Sequence, residues 1–133
     1  IDFVKKYEAG MRFVFIKASD TRETADRLAV KYAAMDHHAA QAAGLYTGFY
    51  HYAVLPDVSS PAEIKQDALA QAQKVVWRLA SLGGYTDRDL PYALDLETKC
   101  VRYSSGGVCV KNATRSAVTL WALTFLASRP EPN

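Results

Sequence analysis

The sequence predicts an α/β fold of the partial β/α barrel kind, with a parallel sheet of about three central strands and four helices packed outside it. Three observations point there. Runs of strand character alternate with helical periodicities in the order α-β-α-β-α-β-α, the pattern of strands joined by crossover helices. The run "RFVFIKAS" is nearly continuously apolar, as expected of a parallel strand covered on both faces. Finally, 133 residues at 50% hydrophobic content are enough for one core and one domain. A closed barrel of the TIM type has eight strands and typically about 250 residues, so the pattern matches its front half at most.

Each element has its own signal. "DFVKKYEAG" reads as a short amphipathic helix closed by Gly10. "RFVFIKAS" is the first strand. "RETADRLAVKYAAMDHHAAQAAG" is alanine-rich and ends at Gly44, a long helix. "LYTGFYHYAVL" carries the aromatic and β-branched residues of a strand. In "SSPAEIKQDALAQAQKVVWRLASLG", Ser60 is a cap, Pro61 occupies the first turn and Glu63 completes a capping box. "LPYALDLET" is the third strand and "NATRSAVTLWALTFLASR" the last helix. Trp77 and Trp121 fall at helical spacing with apolar neighbours and are expected to pack against the sheet. His37 and His38, adjacent and so about 100° apart around their helix, do not form an i, i+4 metal pair and read as surface residues.

Charge excludes some partners. Sixteen Lys and Arg against fourteen Asp and Glu give a net charge of +2, with no basic block, so nucleic acid is not expected as a partner. "AVTLWALTFLA" is about half the length of a membrane crossing and is interrupted by Thr119 and Thr124. No membrane insertion and no signal peptide are expected; a chain opening at Ile1 without Met reads as processed or trimmed. Cys100 and Cys109 bracket "VRYSSGGV", whose Gly-Gly turn can bring their Cα atoms to the roughly 5.5 Å of a bonded pair, so a disulfide is expected, with a reduced pair in a cytosolic protein as the alternative. "NAT" from Asn112 matches a glycosylation sequon and equally a helix start.

Asp95 and Glu97 stand where an apolar strand should carry valine or leucine. Side chains alternate along a strand, so the two carboxylates point the same way, roughly 7 Å apart along the chain. Like charges held close favour keeping one carboxyl protonated while the other is ionised, the arrangement of an acid/base pair in glycoside hydrolysis. A divalent metal would also suit two carboxylates, but no further ligands accompany them at readable spacing, and no cofactor or metal is expected. The remaining alternative is a loop cap and a solvated strand end. Lys17, in an apolar strand, has either a role near Asp95 or a snorkelling ammonium. Tyr50 and Tyr52 share a face, positioned to stack on sugar rings or to pack in the core, while His51 points the other way and reads as a satisfied buried histidine.

"FVFIKAS" after "EAGM", "AAQAAGLYTGFYHYAV", "QAQKVVWRLASLG" and "LPYALDLET", taken together and in that order, resemble the glycoside hydrolase family 25 lysozymes, which show F-x-F-I-K-A-T, A-x-x-A-G-L-x-x-G-x-Y-H-F, Q-A and L-D-[IL]-E. The resemblance implies a modified β/α barrel cleaving the β-1,4 bond between N-acetylmuramic acid and N-acetylglucosamine. It makes Glu97 the proton donor, Asp95 its assistant, Lys17, Tyr50 and Tyr52 substrate contacts, and peptidoglycan glycan strands the partner. A secreted, wall-associated protein or a phage lysin is implied, monomeric if the full domain is present. The family's first strand, with its D-x-S aspartate, and its last strands have no counterpart in residues 1–133, so a partial catalytic domain with little activity of its own is expected. "KASD" replaces the family's K-A-T-E-G. A non-catalytic wall-binding remnant and a chitinase-like glycosidase are the other readings.

Overall fold

The structure, a computed structural model, describes residues 1–132. Asp2 caps the first helix, α1 (Phe3–Glu8), its carboxylate accepting from the Lys5 amide at 3.1 Å. Strand β1 (Phe13–Asp20) follows, then α2 (Glu23–Ala42) and β2 (Tyr46–Tyr52). The long helix α3 (Pro61–Ser81) begins at the expected capping box: Ser60 Oγ accepts from the Glu63 amide at 3.1 Å and donates to its carboxylate at 2.8 Å. After β3 (Ala93–Asp95), the strands β4 (Cys100–Tyr103) and β5 (Cys109–Asn112) form an antiparallel hairpin, and α4 (Arg115–Ser128) starts at Thr114, which accepts from the Ala117 amide. The Asn112–Thr114 triplet thus contains a helix cap.

Strands β1, β2 and β3 pair in parallel, in that order, with β1 and β3 at the edges. The third strand is shorter than the sequence predicts. An isolated bridge joins Thr47 to Asp89, and the Leu90 amide donates to the Thr47 carbonyl at 2.7 Å. Pro91 follows with no N–H to continue the ladder, so regular pairing restarts only at Ala93.

One face of this sheet is covered. Ile16, Phe49, Val75, Leu79, Tyr92, Trp121 and Phe125 form the main core between the sheet and helices α3 and α4. The other face is open: Phe13, Phe15 and Tyr46 are 57%, 41% and 47% exposed. The expectation that β1 is covered on both sides therefore fails, and its continuous apolar run has helices on one side only. Gly48 belongs to the open face for a steric reason, since a Cβ there would lie 2.3 Å from the Phe15 ring that crosses it.

Two helix expectations need correction. Trp121 is buried as expected, with Nε1 donating to Asp67 at 2.8 Å and its ring stacked on Phe125. Trp77 is 68% exposed, because α3 buries the stripe Ile64, Ala68, Gln71, Ala72, Val75 and Leu79, and a residue two positions past Val75 lies about 200° around the helix. His37 is not a surface residue either. Its ring stacks on Phe49 at 4.9 Å and its Nε2 bonds the Asp89 carboxylate at 2.9 Å.

Cys100 and Cys109 form a disulfide, with Cα atoms 6.0 Å apart. The hairpin it closes is also pinned to the loop after β2, where the Asp57 carboxylate pairs with Arg102 and Lys111, each at 2.8 Å. Closing a loop of about ten residues restricts the unfolded chain by up to about 3 kcal/mol. Reduction should lower stability by no more than that and raise amide exchange through β4 and β5; unchanged protection there would show that the Asp57 pairs alone hold the hairpin.

Candidate active site

The C-terminal ends of the three strands meet at one edge of the sheet, and a break in register decides which side chains gather there. Lys17 pairs with Tyr50, but Ser19 pairs with His51 and Asp20 with Tyr52, so Ala18 is the extra residue of a bulge. Had the strand alternated regularly through Ala18, Ser19 would follow Lys17 on the open face. With the bulge, Ser19 turns to the covered face and Asp20 joins Lys17. Tyr52 pairs in turn with Asp95, so Lys17, Asp20, Tyr50, Tyr52 and Asp95 line the open face.

The bulge is held from behind. The Ala18 carbonyl accepts from Arg78 at 2.6 Å, the Asp20 carbonyl accepts from Lys74 at 2.8 Å, and the Asp20 amide donates to Asp26 at 2.9 Å. Asp26 is bound to Arg78 at 2.9 Å and to Lys74 at 3.3 Å. Side chains of α2 and α3 thus satisfy backbone groups that the bulge takes out of the ladder.

On the covered face, His51 is fully buried. Its Nδ1 lies 2.7 Å from Ser19 Oγ, its Nε2 2.9 Å from Gln71 Oε1, and its ring stacks on Phe125. Burial holds its pKa below the ordinary histidine value against the opposing pull of the Gln71 bond. The amide oxygen of Gln71 can only accept, so Nε2 carries the proton and Nδ1 accepts from Ser19. His51 is therefore the satisfied core histidine that the sequence predicts. Gln71 Oε1 also accepts from Thr21 at 2.7 Å, tying this network to the loop after β1.

On the open face, Asp20 is the feature that sequence reasoning missed. Its carboxylate has no solvent exposure and is paired with Lys17 and with Arg22, whose Nε and Nη2 reach it at 3.0 and 2.8 Å. Burial pushes its pKa up, but Arg22 and Lys17 outweigh it and hold the group at about 2. A depressed carboxylate stabilises the fold above its ordinary range, and that contribution is lost as pH falls through about 4 toward 2. The bulge hid Asp20 from an alternation count; the available signal was the acid of "KASD" standing where K-A-T-E-G has one. Lys17 has Asp20 as its ion-pair partner. Its ammonium lies 5.3 Å from the Tyr52 ring centre and the Arg22 guanidinium 4.4 Å from it.

Asp95 is half-buried and Glu97 exposed, two residues past it and beyond the strand's end. A hydrogen bond with Asp95 and the repulsion of its charge raise the Glu97 pKa above the ordinary glutamate value, while Arg22 and Lys17 pull it down less strongly. The structure thus brings Lys17, Tyr52, Asp95 and Glu97 together, with Tyr50, the register partner of Lys17, two residues before Tyr52. Among the described residues no group of three or more His, Cys, Asp or Glu side chains is placed to hold a metal ion, and no helix is long and apolar enough to cross a membrane.

Two carboxylates at the C-terminal end of a parallel strand, one with raised proton affinity, are groups that glycoside hydrolysis can use. The chain matches the family model "Glycosyl hydrolases family 25" over residues 1–130 and belongs to that family. Among solved structures it is similar to a muramidase from Acremonium alcalophilum, at 29% identity and a TM-score of 0.62, covering 96% of this chain and 53% of that one. It is also similar to a bacterial lysozyme from Streptomyces coelicolor, at 29% identity and a TM-score of 0.58, covering 96% of this chain and 51% of that one. The chain spans about half the length of the structures it matches. No curated protein matches it significantly.

Proposed function

We propose that residues 1–133 supply the carboxylate-bearing part of a muramidase site, within a modified β/α barrel, that cleaves the β-1,4 bond between N-acetylmuramic acid and N-acetylglucosamine in peptidoglycan. The observation that carries this reading is the Asp95–Glu97 contact, which leaves Glu97 readier than an ordinary glutamate to hold a proton. Glu97 gives that proton to the glycosidic oxygen as the bond breaks. The Asp95 carboxylate stabilises the positive charge that develops at the anomeric carbon, directly or through the neighbouring acetamido group. Tyr52 and Tyr50 offer ring faces to the sugar, and Lys17 keeps Asp20 paired beside them. A disulfide-closed hairpin shortly after the strand that carries Asp95 suits an oxidising, extracellular compartment, and the working unit is read as a monomer.

The second reading, a non-catalytic wall-binding domain, draws support from the openness of the same face, where Glu97 and three aromatic residues are exposed to water. A one-sided site positions substrate poorly, and errors near 1 Å already cost about a hundredfold in rate. The 133-residue chain is therefore expected to cleave walls slowly, at least about a hundredfold below a full-length muramidase. New reducing ends from purified peptidoglycan, identified by mass spectrometry, test this. Muramic acid ends are expected; glucosamine ends would indicate a different glycosidase, and wall co-sedimentation with no new ends would favour the binding module.

A further inference from the structure

We propose that Asp20 is a positioning residue for the Asp95–Glu97 pair: by holding Lys17 and Arg22 against Tyr52, it sets how much positive charge reaches the two carboxylates. The inference rests on the reading of Glu97 as the proton donor and extends it to a residue that does not touch the sugar. Three independent features of the geometry support it. The Ala18 bulge, held by Asp26, Lys74 and Arg78, is what turns Asp20 to the face of Asp95. The Asp20 carboxylate, without solvent exposure, takes both cations. Both cations also lie over the Tyr52 ring, the register partner of Asp20 and of Asp95 alike.

Two positive side chains next to two carboxylates would ordinarily collapse onto them and keep both ionised. An ionised Glu97 has no proton to donate. Asp20 competes for the same cations, and Arg22 commits two nitrogens and its backbone amide to it. The charged and titratable groups facing this cluster are Lys17, Arg22, Tyr52, Asp95 and Glu97 in front, and Asp26, Lys74, Arg78 and His51 behind. Those behind are bound to the bulge, to one another or to Gln71 and have no free partner to offer Glu97.

The test follows the Glu97 carboxyl carbon by NMR through a pH titration of the full chain, which needs no catalysis. In Asp20→Asn the freed cations should lower the proton affinity of Glu97 about threefold or more, while Asp20→Glu should restore it. If burial makes Asp20→Asn unfold, Arg22→Gln carries the test, since Arg22 is half-exposed. It should raise the proton affinity of Glu97 about threefold at low salt, an effect that shrinks near 1 M salt, where screening acts within about 3 Å. An unchanged Glu97 midpoint in a folded Arg22→Gln chain would overturn the proposal. Loss of wall cleavage on Glu97→Gln with that unchanged midpoint would leave the muramidase reading standing without it. Shifted midpoints with no cleavage by any variant would do the reverse.

Discussion

Replacing Glu97 with glutamine should remove essentially all glycan cleavage that the chain supports, a loss of about a hundredfold to ten-thousandfold for a missing general acid. The amide is the same size and keeps a hydrogen bond to Asp95, so folding and wall binding should persist. Asp95→Asn should act differently. It removes the charge that raises Glu97, so the proton leaves at lower pH. A general acid works while protonated and fails as pH rises through its pKa; the alkaline limb of the cleavage profile should therefore move toward acid in Asp95→Asn. Cleavage by Glu97→Gln at the parent rate, or an unmoved limb in Asp95→Asn, would remove the pair from the chemistry.

The second large effect concerns stability. Trp121→Ala should cost about 3–5 kcal/mol, the range for deleting a buried tryptophan. The ring is fully buried, stacked 5.2 Å from Phe125, and donates to Asp67. Asp67 also accepts from Gln71 at 2.8 Å, so the cavity would open beside the network that reaches His51. Chemical denaturation should place the midpoint well below that of Trp77→Ala, whose exposed ring should cost under about 1 kcal/mol. Equal midpoints would mean that α4 does not contribute to the cooperative core.

Much of the fold was legible because its signals are local. Ser60, Pro61 and Glu63 set the start of α3, and the Cys100–Cys109 spacing announced the hairpin. The common face of Tyr50 and Tyr52, with His51 opposite, followed from a period of two. What could not be read depended on contacts across the sequence. Alternation assigns Asp20 to the covered side, and the bulge that reverses it is held by Asp26 of α2 together with Lys74 and Arg78, more than fifty residues away in α3. His37 looked exposed because nothing nearby in the chain announces Asp89 as its partner. Trp77 looked buried because its size outweighed its phase on the helix.

The Ala18 bulge also bears on which genetic changes this site can absorb. A substitution at a surface helix position alters one side chain, whereas loss of the single Ala18 codon would close the bulge. Lys17, Ser19 and Asp20 would then follow one another in plain alternation, with Ser19 still opposite His51 and Asp20 still opposite Tyr52, but the carbonyl that Arg78 binds would be gone. One deleted triplet would thus keep the charge pattern of the open face and leave an arginine behind it without its backbone partner. Among descendants of this chain, loss of Ala18 should be tolerated more readily than loss of Ser19, which would leave the buried His51 without its hydroxyl partner.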